Sequence, residues 1–209
     1  MLKGQVQLVS IVIIIVLLLA VIAMVLPWAM TMIQKKKDMK TLDDVYNFFQ
    51  SMDETIRNVA RGGGEESLTL KVPGKFTIYP SLSNSYMNNS IVFVFESLAS
   101  NIAQCDSIPF EQCWIPLNTP NTNKTATLGL DSPSVIFAAA NRTQNKLEIR
   151  YRLWYRTLND TNGNYYKIIL NTSGNTEKTT NYGFMRIQRL GSREVLSESL
   201  TITEINIIV

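Results

Sequence analysis

Residues 4–34 contain no charged side chain, and from Leu8 to Ile33 the chain is almost wholly Leu, Ile, Val, Met and Ala. As one helix, that stretch would rise about 39 Å, more than the roughly 30 Å hydrocarbon core of a bilayer requires. A chain of 209 residues has no core large enough to hide a helix that is apolar on every side. The run therefore belongs in lipid or in the dry centre of an assembly of many copies. What remains is enough for one medium domain.

Beyond Gly62, 13 Lys and Arg nearly balance 12 Asp and Glu, so the net charge of +3 arises mostly in the first third, where Lys35, Lys36 and Lys37 follow the apolar run. A near-neutral domain behind a small basic collar gives no case for nucleic-acid binding and suits a collar meeting lipid headgroups. There is no histidine, which removes Ser-His-Asp and Cys-His catalysis and histidine–zinc sites. Two cysteines, Cys105 and Cys113, are too few for a structural zinc site. Their spacing would close a short loop as a disulfide, as in an extracytoplasmic domain, the alternative being two free thiols in a reduced compartment.

Helical period continues past the basic collar. Leu42, Val45, Tyr46, Phe49, Met52, Ile56 and Val59 recur at spacings of three and four, with Asp43, Asp44, Asp53 and Glu54 largely on other faces. The simplest reading is one helix from about Gln5 to Arg61, apolar all round over residues 5–34 and amphipathic over 35–61. Gly62, Gly63 and Gly64 end it, with a hinge over 62–66. Pro27 lies inside the apolar half, where a proline predicts a kink or a locally melted stretch.

From Ser67 the period becomes two, and the β-rich head is expected over 67–209. Leu68–Val72, Phe76–Tyr79, Ile91–Phe95, Val135–Ala139, Gly183–Leu190 and Leu200–Val209 all have strand character. Lys146–Thr157 and Asn164–Leu170 are expected to form a hairpin around Asn162-Gly163. Eight or nine short strands predict an α+β chain, a long helix followed by an antiparallel sandwich or small barrel. The stretch 118–127 reads as a polar loop.

Five Asn-x-Ser/Thr sequons begin at Asn88, Asn123, Asn141, Asn159 and Asn171. Composition alone yields roughly three, so their argument is position: all fall in the head, mostly in predicted turns. Asp160 to Asn164 superficially resembles the start of a calcium loop, but Tyr165 and Asn171 stand where such a loop needs Gly and Glu, and a hairpin turn explains the same residues. Arg150, Arg152 and Arg156 form a basic stripe opposite the apolar row Leu147, Ile149, Tyr151, Leu153 and Tyr155. Such a stripe grips a sugar, a phosphate or a neighbouring subunit, or more simply is a solvated sheet face. Neither Asp43-Asp44 nor Glu65-Glu66 has a cleft signature around it. No catalytic residue, metal ligand or cofactor site is expected.

Lys3-Gly4 followed by Gln5 and the long apolar helix resembles the class III signal of archaeal type IV pilin-like proteins, the group of pilins and archaellins. The resemblance implies that a prepilin peptidase cuts between Gly4 and Gln5, shedding Met1 to Gly4, and that the helix becomes a filament's packing core. It further implies identical subunits as partners, an assembly platform with its ATPase, and membrane lipid before assembly. One pilin subgroup continues Gln-x-Ser-x-Glu; here the continuation is Val6-Gln7-Leu8-Val9, with an apolar residue at the glutamate's place, as in archaellins.

Charge counting across the span sets Lys3 and the amino terminus against Lys35, Lys36, Lys37 and Lys40, which by the positive-inside rule points the head to the cytoplasm. The cysteines and sequons point outward and outweigh it. The expectation is thus a non-enzymatic filament subunit with an exposed β-head for adhesion or surface contact. Its rival is a single-pass anchored module whose head recognises a carbohydrate or an envelope protein.

Overall fold

The computed structural model describes residues 2–82, 86–105, 113–143, 146–180 and 183–209, with the backbone alone for 2–10, 70, 180 and 183. Among the described residues one α-helix, α1 (Leu2–Gly62), is followed by twelve strands, with a short 3-10 turn at Leu196–Glu198 before the last. α1 remains helical through Pro27, so no melted stretch forms there. It stops where the glycines begin: the Gly63 N–H donates to the Val59 carbonyl at 2.9 Å, and Gly63 and Gly64 take φ of 74° and 94°, conformations that side chains with a Cβ rarely adopt. The Arg189 N–H then donates to the Gly64 carbonyl at 3.2 Å, tying the glycine turn to the head.

The strands are β1 (Glu65–Leu70), β2 (Gly74–Tyr79), β3 (Ser90–Ser97), β4 (Ile115–Pro116), β5 (Thr125–Thr127), β6 (Ser134–Thr143), β7 (Lys146–Tyr155), β8 (Thr157–Asn159), β9 (Tyr165–Asn171), β10 (Glu177–Thr180), β11 (Gly183–Val195) and β12 (Leu200–Ile208). They make two six-stranded sheets, ordered β1-β11-β12-β9-β8-β5 and β10-β2-β3-β7-β6-β4. The head is therefore a sandwich-like pair of sheets. It is mostly antiparallel, but β9 runs parallel to β12 and β5 parallel to β8.

The expected hairpin between Lys146–Thr157 and Asn164–Leu170 does not form. β7 pairs over its whole length with β6 and β3, and only β8 turns back onto β9, through Asp160 to Asn164. At Arg156 the chain leaves one sheet for the other. The alternation also breaks there, since Tyr155 and Arg156 are both buried.

Both sheets and α1 share one core. Leu42, Val45, Phe49, Met52, Ile56 and Val59 of the helix lie in the same cluster as Phe93, Ile149 and Leu153 of one sheet and Leu170, Ile187 and Ile205 of the other. The head is thus closed by the second half of its own stem. Gly74 marks a tight approach within it: a Cβ there would lie 2.3 Å from the Phe93 ring and 2.7 Å from the Val94 carbonyl.

Candidate functional site

The molecule's most unusual surface is the first half of α1. From Ile11 to Ile33 the large apolar side chains stand open, Leu19 at 60% and Met24 at 78% exposure. The most apolar 18-residue window has a mean hydropathy of 3.2 with none of it buried, which is long and apolar enough to cross a membrane. Pro27 removes one helical N–H. Its own carbonyl accepts both from the helix ladder side and from the Thr31 hydroxyl at 2.9 Å, a back-bond that keeps a polar group of the apolar run satisfied. Lys3, Gly4 and Gln5 lie on the helical backbone, and their side chains are outside the described residues.

The second half is seated by polar as well as apolar contacts. Asp53 is not on a solvent face, as the periodicity suggests, but buried at 5% exposure. Its Oδ1 accepts from the Tyr155 hydroxyl at 2.8 Å, and its Oδ2 pairs with Arg57 Nε at 3.1 Å one turn on. Burial, reinforced by the Asp53 carboxylate, holds the Tyr155 phenol well above its ordinary range. Burial also raises Tyr151, whose hydroxyl donates to the Leu42 carbonyl at 3.4 Å. The stem is thus clamped by tyrosines from β7 at two points of its buried half, Leu42 and Asp53.

Two residues that sequence reasoning missed tie loops and strands of the head together. Asn89, at φ 55°, donates through Nδ2 to the carbonyls of Tyr155 (2.9 Å) and Ile168 (2.8 Å), and accepts through Oδ1 from the Leu170 N–H (2.9 Å). One buried amide therefore staples β7 of one sheet to β9 of the other. In sequence it hides inside the sequon of Asn88. Asn118 does similar work in the polar loop, accepting from the Ile136 N–H at 2.8 Å and donating to the Ser134 carbonyl at 3.2 Å.

The basic stripe is not a solvated face. Arg156, 1% exposed, donates from Nε to the Ser132 carbonyl (3.0 Å) and from Nη1 to the Asn121 carbonyl (2.7 Å), pinning the polar loop to the crossover between sheets. Arg152 is buried among Trp114, Phe137 and Trp154, its guanidinium carbon 6.0, 5.9 and 5.8 Å from their ring centres. Burial lowers its pKa to about 10, and the ring faces replace part of the lost hydration. Arg150 alone stays half-exposed, paired with Glu148. Two of the three guanidiniums are spent on structure.

Cys105 and Cys113 form a disulfide with a Cα separation of 6.0 Å. The loop they close, with Pro109, lies outside the described residues. Of the sequons, Asn88 and Asn123 sit in exposed loops, whereas Asn141, Asn159 and Asn171 are partly buried strand residues, not turn residues as expected. At Asn123 the following Lys124 and Thr125 are exposed too. At Asn88 the Ser90 hydroxyl is buried and donates to the Met87 carbonyl. Asp160 caps its turn by accepting from the Asn162 and Asn164 N–H groups (both 2.8 Å). The bonds from Asn164 hold its carboxyl below the usual range. Among the described residues no group of three or more His, Cys, Asp or Glu is arranged to hold a metal.

No protein-family model matches the chain, and no curated protein or solved structure is similar to it at a significant level.

Proposed function

We propose that this protein is the structural subunit of a type IV pilus-like surface filament, released by cleavage between Gly4 and Gln5 and polymerising through α1. The observation that carries this reading is the continuity of α1, whose exposed apolar stretch from Ile11 to Ile33 runs without interruption into the half that forms the head's core. A module that searches for a ligand profits from a flexible linker between anchor and head. A subunit that repeats along a helical array needs its head held at one angle to its packing element. The exposed half supplies the packing element and the clamped half supplies the angle.

Moving such a helix from lipid into a bundle of its own kind gains little hydrophobic free energy, because lipid tails are as apolar as leucine. Side-chain packing then decides the assembly, and an assembly ATPase supplies the work of extraction. Small positions along the run matter most. Ala20→Phe or Ala23→Phe leaves the run membrane-competent but overpacks a contact, at about 1–3 kcal/mol per site, repeated at every subunit. Both variants are expected to insert normally and to give no filaments by negative-stain microscopy of sheared cell surfaces. Wild-type surfaces bearing no filaments that contain this chain, with all of it in the membrane fraction, would decide for the anchored module instead. N-terminal sequencing gives the independent check, with Gln5 as the expected first residue and Gly4→Val blocking the cut.

A further inference from the structure

The end of the head nearest the apolar run carries a cavity lined by cations. α1 meets the head just past Ile33, where the Leu98 N–H donates to Asp38 Oδ2 at 2.6 Å. Beside this contact lies a cavity of about 500 Å³ whose lining includes Lys35, Leu98, Ser100, Gln104, Arg142 and Lys146. Among the described residues no carboxylate lines it. Lys146 is paired with Glu96, whereas among the described residues no carboxylate is paired with Lys35 or Arg142. The nearest helix acid, Asp38, is taken up by the Leu98 N–H and by Gln34 Nε2 at 2.7 Å.

Position says what such a cavity would meet. Lys35 stands two residues beyond Ile33, roughly 3 Å further along the helix axis. With the apolar run in hydrocarbon, the cavity opens at the level of the headgroups. Leu98, 45% exposed, lies on the same rim and faces the same layer. Lys35 comes from the helix and Arg142 from the end of β6, so two cations from separate elements converge on one space, one of them a fork suited to phosphate oxygens.

We propose that this cavity binds the phosphate of an anionic lipid headgroup, fixing the rotational setting of the head on the bilayer. The inference rests on the apolar run spanning a membrane and is independent of polymerisation. The test is hydrogen exchange of the full chain in nanodiscs of phosphatidylcholine, with and without phosphatidylglycerol. Backbone amides of residues 98–104 are expected to exchange more slowly in the anionic discs, by about five-fold per cation engaged, and the difference should shrink with salt. Lys35→Gln combined with Arg142→Gln, both exposed positions, should abolish the difference while leaving exchange in neutral discs unchanged. Equal exchange of inserted protein in the two discs overturns the proposal. So does equal slowing by inorganic phosphate in neutral discs, which would make free phosphate the ligand. Failure to insert into either disc overturns the spanning reading beneath it.

Discussion

The two halves of α1 obey opposite rules within one unbroken helix. Leu19, in the first, is 60% exposed with apolar neighbours on every side; Phe49, in the second, is fully buried between two sheets. The same backbone geometry serves both, so what differs is only the chemistry around each circumference. Residues 11–33 are apolar in all directions and find no partner among the described residues, while residues 42–59 present one apolar stripe and fold the head around it. Helix propensity makes the rod, and patterning decides which part of it is self-sufficient.

That contrast can be broken most sharply at its buried end. Phe49→Ala removes a ring packed against Phe48 and Tyr151 and should cost the head about 3–5 kcal/mol, read by denaturant unfolding of the full chain in detergent. A loss below 1 kcal/mol would mean that the helix is a passenger in the core. Asp53→Ala strands the buried Tyr155 hydroxyl and should cost about 1–3 kcal/mol by the same measurement.

Alkaline titration sharpens the comparison next. Tyr151 and Tyr155 both have folded-state pKa values raised above the ordinary 10.0. Below pH 10 each is neutral whether folded or not. Above it the unfolded chain releases protons that the folded head retains, so stability falls as pH rises from 10 toward the folded values, by about 1.4 kcal/mol per pH unit for each tyrosine. Arg152, lowered to about 10 in the folded head, opposes this fall over the same range, so Tyr151→Phe should shift the net slope by about 1.4 kcal/mol per pH unit toward greater stability at high pH; an unchanged slope would mean that the tyrosine does not contribute. At the other end, Leu18→Ala should leave head stability within about 0.5 kcal/mol of the parent. A loss there comparable to that of Phe49→Ala would show that the halves are not independent.

Much of this plan was legible in the sequence because its signals are periodic. Leu42 to Val59 at spacings of three and four and Leu147 to Tyr155 at spacings of two give the buried faces directly. What escaped is what periodicity does not encode. Asp53 and Arg152 are charged residues buried through specific partners, and a charge in sequence gives no sign of the tyrosine or the tryptophans that will meet it. Asn89 looks like any turn asparagine until both sheets converge on it. The expected hairpin fails although Asn162-Gly163 does make a turn, because the strand before it has already changed sheets at Arg156. β4, β5, β8 and β10 have two to four residues each, too few for an alternation to show. The exposed run needed no partner to be recognised, and its identity as the candidate site was the plainest statement in the chain.

Because α1 passes from the exposed run into the core without a joint, it also sets how the molecule bears tension. A pull on the N-terminal end acts along the helix axis. It reaches Leu42, Phe49, Met52, Ile56 and Val59 together, over roughly 25 Å of rod, in shear rather than as a peel from one end. At the far end, Gly62 to Gly64 hand the remaining load to β1, whose ladder with β11 from Glu65 to Leu70 is the first hydrogen-bonded element to feel it. Such a head resists drag as a rivet does, through its whole length at once.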